Sequence, residues 1–322
     1  MNRRKYRENA VELMVKGAAY ISIIIIVFVF YFVFSKAWPT LQASGTSLFT
    51  QGGFDEQVRE AFGRTAGEPN VVFGMLGLLW GTFASTVLAL MAAGLLGIGA
   101  AIVIVEYTPP ALSGFLITIV RLLASIPSIV FGLVGLMTVA PLIENLFVTT
   151  ERQIQYLAYF QMTGKGLLTS AIVLAFMIVP MVISLSVDAM RGVPDHYKEA
   201  GYSFGMSKFR VILKVILPSA RSGIFASIAL AAGRGIGEAI AVSMVCGGVG
   251  VLPRLSMGFA TLLSPVLTLS AAIVNKSEAM SVAEVQAALF ACGAVLLVFG
   301  TLMSVGSRGV ERLIRRKEGY DE

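Results

Sequence analysis

The stretch VVFGMLGLLWGTFASTVLALMAAGLLGIGAAIVIV, residues 71–105, contains 35 consecutive residues and no charged side chain. A helix needs about 20 apolar residues to cross a hydrocarbon core of about 30 Å. The stretch is too long for one upright helix and too short for two helices with a turn. We interpret it as one long, tilted or kinked crossing, in which Gly94, Gly97 and Gly99 permit a bend. The double proline that begins at Pro109 should end the helix.

The composition of the whole chain is that of an integral membrane protein. Of its 322 residues, 56% are hydrophobic and 14% are charged, and the mean hydropathy is +0.81. One histidine, His196, and two widely separated cysteines, Cys246 and Cys292, indicate neither a disulfide framework, nor a metal site, nor Ser-His chemistry. No P-loop sequence for ATP occurs. We expect an all-α polytopic protein that is not an enzyme and takes any ATP-derived energy from a partner.

Five further charge-poor runs predict five more helical crossings. They are 18–34, 116–142, 167–187, 222–245 and 285–306. Pro127 lies inside the third crossing and should break its backbone hydrogen bonds, and Pro180 lies inside the fourth. Ser125 and Ser128 flank Pro127, so their hydroxyl groups either bond the freed carbonyl groups or line a path through the membrane.

Charge bias predicts the orientation of the six crossings. With both termini in the cytoplasm, sixteen Lys and Arg residues lie on the cytoplasmic side, in the N-terminal segment 1–17, the loop 188–221 and the basic tail 307–322. Seven lie in the loops on the opposite side. This distribution follows the positive-inside tendency, and it explains the net charge of +6 without any nucleic-acid binding.

The outer face should carry two segments, 35–70 and 247–284. The uncharged run 255–275 could be a seventh crossing, but the basic tail would then lie outside, against the positive-inside tendency. We therefore place this run in the outer segment, partly re-entrant around Pro265. The first apolar run, 18–34, exceeds the usual core of a signal peptide and has no clear cleavage site after it, so we expect a membrane anchor.

Two charges lie inside the fifth predicted crossing, in the sequence LAAGRGIGEAIAV of residues 230–242. Arg234 and Glu238 are four residues apart, so on one continuous helix they would share a face and could pair. An unpaired charge facing lipid is costly, which leaves a structural ion pair or a transport role. Gly233 and Gly237 indicate close helix packing.

The cytoplasmic loop 188–221 is longer than a tether requires. Pro194 and Asp195 predict a helix start, and Gly205 permits a turn at its end. Between them, residues recur at helical spacing. They are Tyr197, Ala200, Gly201 and Phe204. Such a short helix fits a cleft on another protein, although a helix in the lipid interface would show the same periodicity.

The sequence EAGYSFGMSKFRVILKVILP, residues 199–218, resembles the coupling-loop signature of ABC-importer permeases. That signature is Glu-Ala-Ala, three residues, Gly, nine residues, a hydrophobic residue, one residue and Leu-Pro. The matching positions are Glu199, Ala200, Gly201, Gly205, Val215, Leu217 and Pro218. Gly201 replaces the third-position Ala, and Val215 replaces the usual Ile. In this family the short helix, which here includes Tyr197, docks into an ATPase subunit, so the resemblance favours protein docking over the lipid interface.

Four further stretches resemble the permeases of the phosphate-specific importer, and its C-type subunit more than its A-type subunit. In chain order they are LLASIPSIVFGLVGL, SVDAMRGVPDHYKEAG, GRGIGEAIAVSMVCGG and LLSPVLTLSAAIV. The resemblance extends from about Val72 to the sixth crossing and is weak before residue 70. Arg121 stands where this family would lead us to expect an acidic residue.

The resemblance implies a type I ABC-importer permease fold, with a permease core over 71–306, in the cytoplasmic (inner) membrane of a bacterium or archaeon. It implies a heterodimer with a second, related permease. It also implies two ATPase subunits that bind ATP and Mg, and an extracytoplasmic phosphate-binding protein. Arg234 would then offer its guanidinium group to phosphate, and Glu238 and Ser128 would line the path or gate.

Two other transporter classes remain open from the sequence. Permeases for sulfate or molybdate share the coupling loop and the six crossings. An ion-coupled secondary transporter would also place a charged pair in a membrane helix, but it has no need of the spacing from Glu199 to Pro218. An intramembrane enzyme fits least, because the predicted crossings contain no Ser-His, metal or aspartyl-dyad arrangement.

Overall fold

Helices make up all the regular secondary structure in the part of the chain that the computed structural model describes, which is residues 2–64, 71–157, 159–250, 252 and 258–317. Six helical runs within it are long and apolar enough to cross a membrane. In chain order, these first to sixth spans are Val11–Ser44, Leu76–Tyr107, Ser128–Phe147, Leu167–Arg191, Lys208–Gly237 and Ala283–Gly309. The predictions of an all-α polytopic protein and of six crossings are confirmed.

Shorter helices connect or cover the spans. They are Ser47–Thr50, Phe54–Gly63, Pro110–Ala124, Thr150–Tyr156, Asp195–Ser203, Ile240–Val245, Ala260–Leu263, Leu269–Asn275 and the 3-10 helix Ser277–Ser281. Three spans contain a widened π turn, at Val103–Tyr107, Gly135–Val139 and Ile212–Ile216. Parts of the predicted outer segments and basic tail lie outside the described residues, namely 65–70, 251, 253–257 and 318–322.

The second span packs against the fourth and fifth spans in the main apolar core. Leu76–Ile102 is one continuous α-helix through all three predicted bend glycines, and the π turn Val103–Tyr107 follows it. The change in helix geometry lies after the glycines, not at them as we expected. Gly97 instead permits close packing, because a β-carbon there would lie 2.7 Å from Val182 Cγ1 of the fourth span.

The third span begins later than predicted. The helix Pro110–Ala124 ends before Pro127, and the span begins at Ser128. The predicted crossing 116–142 is wrong, because it joins the end of a separate apolar helix to the first part of the third span. The reason is Pro127, which has no N–H group to donate and disfavours helical geometry in the residue before it. The fourth span contains Pro180, as predicted.

The first and last helices extend beyond the predicted crossings. The first helix runs Asn2–Ser44 rather than 18–34, and the last runs Ala283–Lys317. Polar side chains at the ends of a membrane helix do not interrupt its backbone hydrogen bonds, so charge-free runs underestimate helix length. The two helices pack along each other, and Phe32 meets Phe290 edge to face with the ring centroids 5.7 Å apart.

The two segments predicted on the outer face, 35–70 and 247–284, meet in the structure. Asp55 Oδ2 accepts a hydrogen bond from the backbone N–H of Gly250 at 2.6 Å, and Asp55 Oδ1 pairs with Lys276. This contact joins the two segments, and their position on the outer side of the membrane stays a prediction. Which side faces the cytoplasm stays a prediction.

The described part of the segment 247–284, which lacks 251 and 253–257, packs into the helix bundle and contains no helix long enough to cross a membrane before the sixth span begins at Ala283. Its longest described helix, Leu269–Asn275, has seven residues, and Leu269, Ala271 and Ala272 are buried. The chain before that helix is also held inside the protein, where the N–H of Val266 donates to the carbonyl of Cys246 at 2.7 Å. Irregular backbone at this depth is tolerated where protein surrounds it.

Candidate functional site

The connection between the fourth and fifth spans folds as a helix and a tight turn. The helix Asp195–Ser203, here called the loop helix, begins directly after Pro194. Gly205 has a φ of +72°, in the left-handed region that favours glycine. The N–H of Met206 donates to the carbonyl of Gly201 at 3.2 Å, which is one of the two bonds of the Schellman motif that ends a helix. The predicted helix start and turn are confirmed.

One face of the loop helix packs on the fifth span, and the other face is exposed. Gly201 is buried, and a β-carbon there would lie 3.1 Å from Val211 Cγ2. Phe204 is 84% exposed. The other exposed residues of the helix include Tyr197, Glu199, Ala200 and Tyr202. The exposed aromatic residues Tyr197, Tyr202 and Phe204 indicate an interaction surface.

The fifth span begins and ends earlier than predicted. It runs Lys208–Gly237, whereas the sequence predicted 222–245. The loop 188–221 is correspondingly shorter, because its last residues belong to the span. After the span, the backbone of Glu238 is extended, and the separate helix Ile240–Val245 follows.

This break separates Arg234 from Glu238. Arg234 lies in the last turn of the fifth span, whereas Glu238, with φ −72° and ψ 115°, lies beyond the helix end. The two side chains are therefore not one turn apart on one helix, and no ion pair joins them. The expected pairing is wrong, because the helix ends at Gly237, a residue with low helix propensity. The side chain of Arg234 is half-buried and makes no hydrogen bond or ion pair with any residue that the structure describes.

Glu238 stabilises the break instead. Its Oε1 accepts a hydrogen bond from the N–H of Ala241 at 3.2 Å, as a capping side chain does at a helix start. Its backbone carbonyl accepts a hydrogen bond from Ser270 Oγ at 2.7 Å. The carboxylate and the carbonyl thus hold the short helix Ile240–Val245 and the inserted helix Leu269–Asn275 next to the end of the fifth span.

Ser270 and Thr82 are site residues that sequence reasoning missed. Thr82 Oγ1, in the second span, accepts a hydrogen bond from the N–H of Leu269 at 2.9 Å and so holds the inserted helix in place. The available signal was the run of hydroxyl residues after Pro265 in an otherwise apolar segment. Buried hydroxyl groups in such a run are expected to find partners, and here Ser270 bonds the carbonyl of Glu238, directly after the fifth span.

The helix that begins the third span after Pro127 and the short helix Ile240–Val245 run side by side. A β-carbon at Gly132 would lie 2.9 Å from Ala241 Cα, and one at Gly135 would lie 2.9 Å from Val245 Cγ1. The contacts advance together along both helices, so the helices are parallel. The Gly132–Ala241 contact places the start of the helix at Ser128 about three residues, or about 4.5 Å, before the start of the helix at Ile240.

Ser128 begins one of these helices and Glu238 precedes the other, whereas Arg234 lies in the last turn of the fifth span. Ser125 donates its hydroxyl to the carbonyl of Leu122 at 2.7 Å, so it satisfies a carbonyl group before the break. The hydroxyl of Ser128 makes no such bond to any part of the chain described here. A transport role for Ser128, Arg234 and Glu238 stays a prediction.

Arg121 has a partner on the neighbouring helix. Its Nη2 lies 3.0 and 3.2 Å from the two carboxylate oxygens of Asp188, and its Nε donates to Ser184 Oγ at 3.3 Å. The pair joins the helix Pro110–Ala124 to the fourth span. Both side chains are more than half exposed, so the pair contributes about 1 kcal/mol or less in water. Asp188 supplies a negative charge close to the position where we expected an acidic residue.

Both cysteines are buried free thiols, as their apolar surroundings predicted. Cys246 lies outside the six spans, and burial raises the pKa of its thiol to about 11. The thiol is therefore protonated at neutral pH, which makes it a poor nucleophile and metal ligand. The ring of His196, on the loop helix, lies 4.4 Å from that of Tyr197, centroid to centroid.

Residues 93–316 match the family described as the binding-protein-dependent transport system inner membrane component. The chain belongs to this family. It is 34% identical over 255 residues to the phosphate transport system permease protein PstC 1 of Mycobacterium tuberculosis, with 76% of this chain and 74% of that protein covered. It is 30% identical over 299 residues to the phosphate transport system permease protein PstC of Mesorhizobium japonicum, with 89% and 85% covered.

The fold is similar to that of a solved bacterial alginate ABC transporter in complex with an alginate pentasaccharide-bound periplasmic protein. The TM-score is 0.54 at 14% identity, and the match covers 94% of this chain and 96% of that chain. At this identity the likeness shows the fold alone. Together with the family, it confirms the ABC-importer permease fold, and the PstC relatives confirm the resemblance to C-type phosphate permeases. The protein is a multi-pass permease of the inner membrane.

Proposed function

We propose that the chain is the membrane-spanning permease subunit of an ATP-driven phosphate importer and is coupled to ATPase subunits through the loop helix. The observation that carries the proposal is the position of that helix. It packs on the fifth span through Gly201 and turns an exposed surface, which ends at Phe204, away from the bundle. The names of the similar PstC permeases support phosphate as the substrate.

The other components follow from this assignment. A second, related permease completes the translocation path, and two ATPase subunits bind and hydrolyse ATP with Mg. The chain has no ATPase site of its own in this proposal. Closure of the ATPase subunits pulls the loop helices and switches the permeases from inward-facing to outward-facing. Phosphate then crosses along the interface between the two permeases.

The outer surface is the proposed docking site for a phosphate-binding protein. The solved alginate transporter is in complex with a periplasmic protein, which supports a docking surface on the corresponding side here. Asp55 ties the outer segment 35–70 to Gly250 and Lys276, so both outer segments present one connected surface. A connected surface can pass the contact with a binding protein to the inserted helix below it.

Arg234 is the proposed phosphate-binding residue. Guanidinium groups match phosphate with two parallel N–H donors, and the Arg234 group is half-buried with no carboxylate partner among the described side chains. The Glu238 carboxylate accepts a hydrogen bond from the N–H of Ala241 at the start of the helix Ile240–Val245. Its negative charge is therefore not paired with the Arg234 guanidinium group. In this proposal Ser128, at the start of the third span, contributes a hydroxyl group to the translocation path.

Co-purification tests the coupling proposal. The native chain is expressed with candidate ATPase, partner permease and phosphate-binding protein and is purified from membranes. We expect the native chain to retain the ATPase. The Glu199→Lys and Phe204→Glu variants should insert into the membrane normally. The amount of ATPase that co-purifies with each should fall at least tenfold, because each substitution places a new charge on a tight docking surface. Both side chains are exposed, so little packing is lost in the variant proteins.

Glu12→Lys is the matched control for these variants. It reverses the same charge at a side chain that is 62% exposed, far from the loop helix in the chain. The control should retain the ATPase at the native level. Retention of the ATPase by both loop-helix variants, at normal membrane abundance, would contradict the docking role.

A further inference from the structure

Two lysine side chains attach the loop helix and the fifth span to the end of the second span. Lys198 Nζ, on the loop helix, lies 3.1 Å from Glu106 Oε1, in the π turn that ends the second span. Lys208, at the start of the fifth span, donates a hydrogen bond from Nζ to the backbone carbonyl of Glu106. The same ammonium group lies 4.7 Å from the centroid of the Tyr107 ring. Three elements therefore meet at Glu106.

Burial distinguishes the Lys198–Glu106 pair from exposed pairs. The Glu106 side chain is 8% exposed and that of Lys198 is 19% exposed. Lys198 also lies 3.7 Å from Asp195, but Asp195 is 86% exposed. Exposed pairs contribute little, whereas loss of one partner of a buried pair leaves an uncompensated charge inside the protein. Glu106 is thus the partner that fixes the position of Lys198.

The second span connects Glu106 to the surroundings of Arg234. Thr86 lies 20 residues before Glu106 in the same span, which is about 30 Å along a helix. Thr86 packs on Gly235 of the fifth span, because a β-carbon at Gly235 would lie 3.2 Å from Thr86 Cγ2. Packed side chains and rigid helices can carry energetic coupling between sites about 20–40 Å apart. The second span and its π turn therefore offer a packed path from Glu106 to the residue next to Arg234.

We propose that Glu106 is a positioning residue for transport, whose ion pair with Lys198 passes the movement of the loop helix to the second span. This inference rests on the proposed coupling of the loop helix to an ATPase. It adds a second route from the loop helix into the bundle, besides the direct connection through the Gly205 turn to the fifth span. The route ends at Gly235, next to the proposed phosphate-binding residue Arg234.

If the ion pair only held the loop helix in place, its removal would prevent assembly with the ATPase. The loop helix is also held by the contact of Gly201 with Val211 and by the burial of Val193. Its exposed surface should therefore persist without the ion pair and still bind the ATPase. Loss of the pair should uncouple ATP hydrolysis from transport rather than prevent assembly.

The test uses the whole transporter in proteoliposomes, with phosphate-loaded binding protein on the outer side. Three quantities are measured for each variant, namely the amount of ATPase in the complex, the rate of ATP hydrolysis and the rate of phosphate uptake. The variants are Glu106→Gln, Lys198→Met, the double variant and the charge-conserving Lys198→Arg. Glu12→Gln is the matched control, because it removes an exposed Glu–Lys pair of similar length, 2.7 Å.

We expect Glu106→Gln and Lys198→Met each to raise the number of ATP molecules hydrolysed per phosphate imported by about tenfold, with native ATPase content, because each leaves one buried charge without its partner. The double variant should be no worse than either single variant, because both act on one interaction. Lys198→Arg and Glu12→Gln should stay within about twofold of the native ratio, since the first keeps the charge and the second lies at an exposed site.

Three results would overturn the inference. The first is a Glu106→Gln variant that hydrolyses the native number of ATP molecules per phosphate imported. This includes the case in which phosphate uptake and ATP hydrolysis both fall in proportion to the membrane abundance of the variant. The second is additive losses in the double variant. The third is the absence of ATPase from the complex of the native chain, which would contradict the proposed function itself and this inference with it.

Discussion

Gly201 is the position at which the contact of the loop helix with the fifth span can be tested most directly. A β-carbon at Gly201 would lie 3.1 Å from Val211 Cγ2 and 3.5 Å from Val215 Cγ2. Gly201→Ala therefore requires a shift of a few tenths of an ångström in the end of one side chain. Replacing Gly by Ala inside a helix stabilises it by about 0.5–1 kcal/mol, which offsets a small steric cost. We expect Gly201→Ala, which restores the third-position Ala of the coupling-loop signature, to keep native phosphate uptake and stability.

Gly201→Leu gains a similar helix propensity, which is too small to offset its bulk. Relative to Ala, Leu has three further carbon atoms, which must enter a space already closed by Val211 and Val215. Overpacking of this kind costs about 1–3 kcal/mol. Since 1.4 kcal/mol corresponds to about a factor of ten in an equilibrium, this cost raises the ratio of detached to packed loop helix by about 5- to 150-fold, and phosphate uptake should fall below the native rate.

The assay compares phosphate uptake, membrane abundance and the thermal unfolding midpoint for both variants. Gly17→Leu is the control, because Gly17 is also helical but has no neighbour within 4 Å of a β-carbon. It should match the native protein. Native uptake by Gly201→Leu, or equal losses in Gly201→Ala and Gly201→Leu, would refute the packing argument.

Two further predictions concern the membrane site and the topology. Arg234→Gln should stay abundant in the membrane, but its phosphate uptake should fall at least tenfold, because the variant lacks the charged two-donor guanidinium group. Glu238→Gln keeps an acceptor for the Ala241 N–H, so its phosphate uptake should fall less than that of Glu238→Ala, in which loss of the capping bond costs about 1 kcal/mol. Equal uptake by Arg234→Gln and the native protein would contradict the phosphate-binding role. A single cysteine at the exposed position Ser277 should react with an impermeant reagent added outside, whereas one at Ser207 should not, and the buried native thiols should remain unlabelled. Outside labelling at Ser207 alone would reverse the orientation.

The number of crossings was predictable because hydrocarbon imposes a simple length and charge requirement on each helix. The loop helix was predictable for a different reason, since Pro194 and Gly205 determine its start and turn through their own backbone preferences. Both features depend on residues close together in the chain. The family signature between Glu199 and Pro218 is also local, so the interpretation of the loop needed no tertiary information.

The break at Glu238 could not be predicted in this way. The sequence on both sides of it is apolar, so it reads as one crossing, and Arg234 and Glu238 appear to share a helix face. The break depends on contacts from elsewhere, including the hydroxyl of Ser270, which lies 32 positions further along the chain. Tertiary contacts of this kind override local helix preference. The pairing of Glu106 with Lys198 was invisible for the same reason, because the two residues belong to different elements.

In the proposed function, phosphate crosses the membrane through this chain and its partner permease at the expense of ATP hydrolysed by a partner. The decisive measurement is phosphate uptake into proteoliposomes that contain this chain, its partner permease and the ATPase, with the binding protein outside. The proposal predicts uptake that requires ATP, the ATPase and this chain, and that excess sulfate or molybdate does not reduce. Uptake that continues without the ATPase on an ion gradient, or that sulfate or molybdate abolishes, would contradict it.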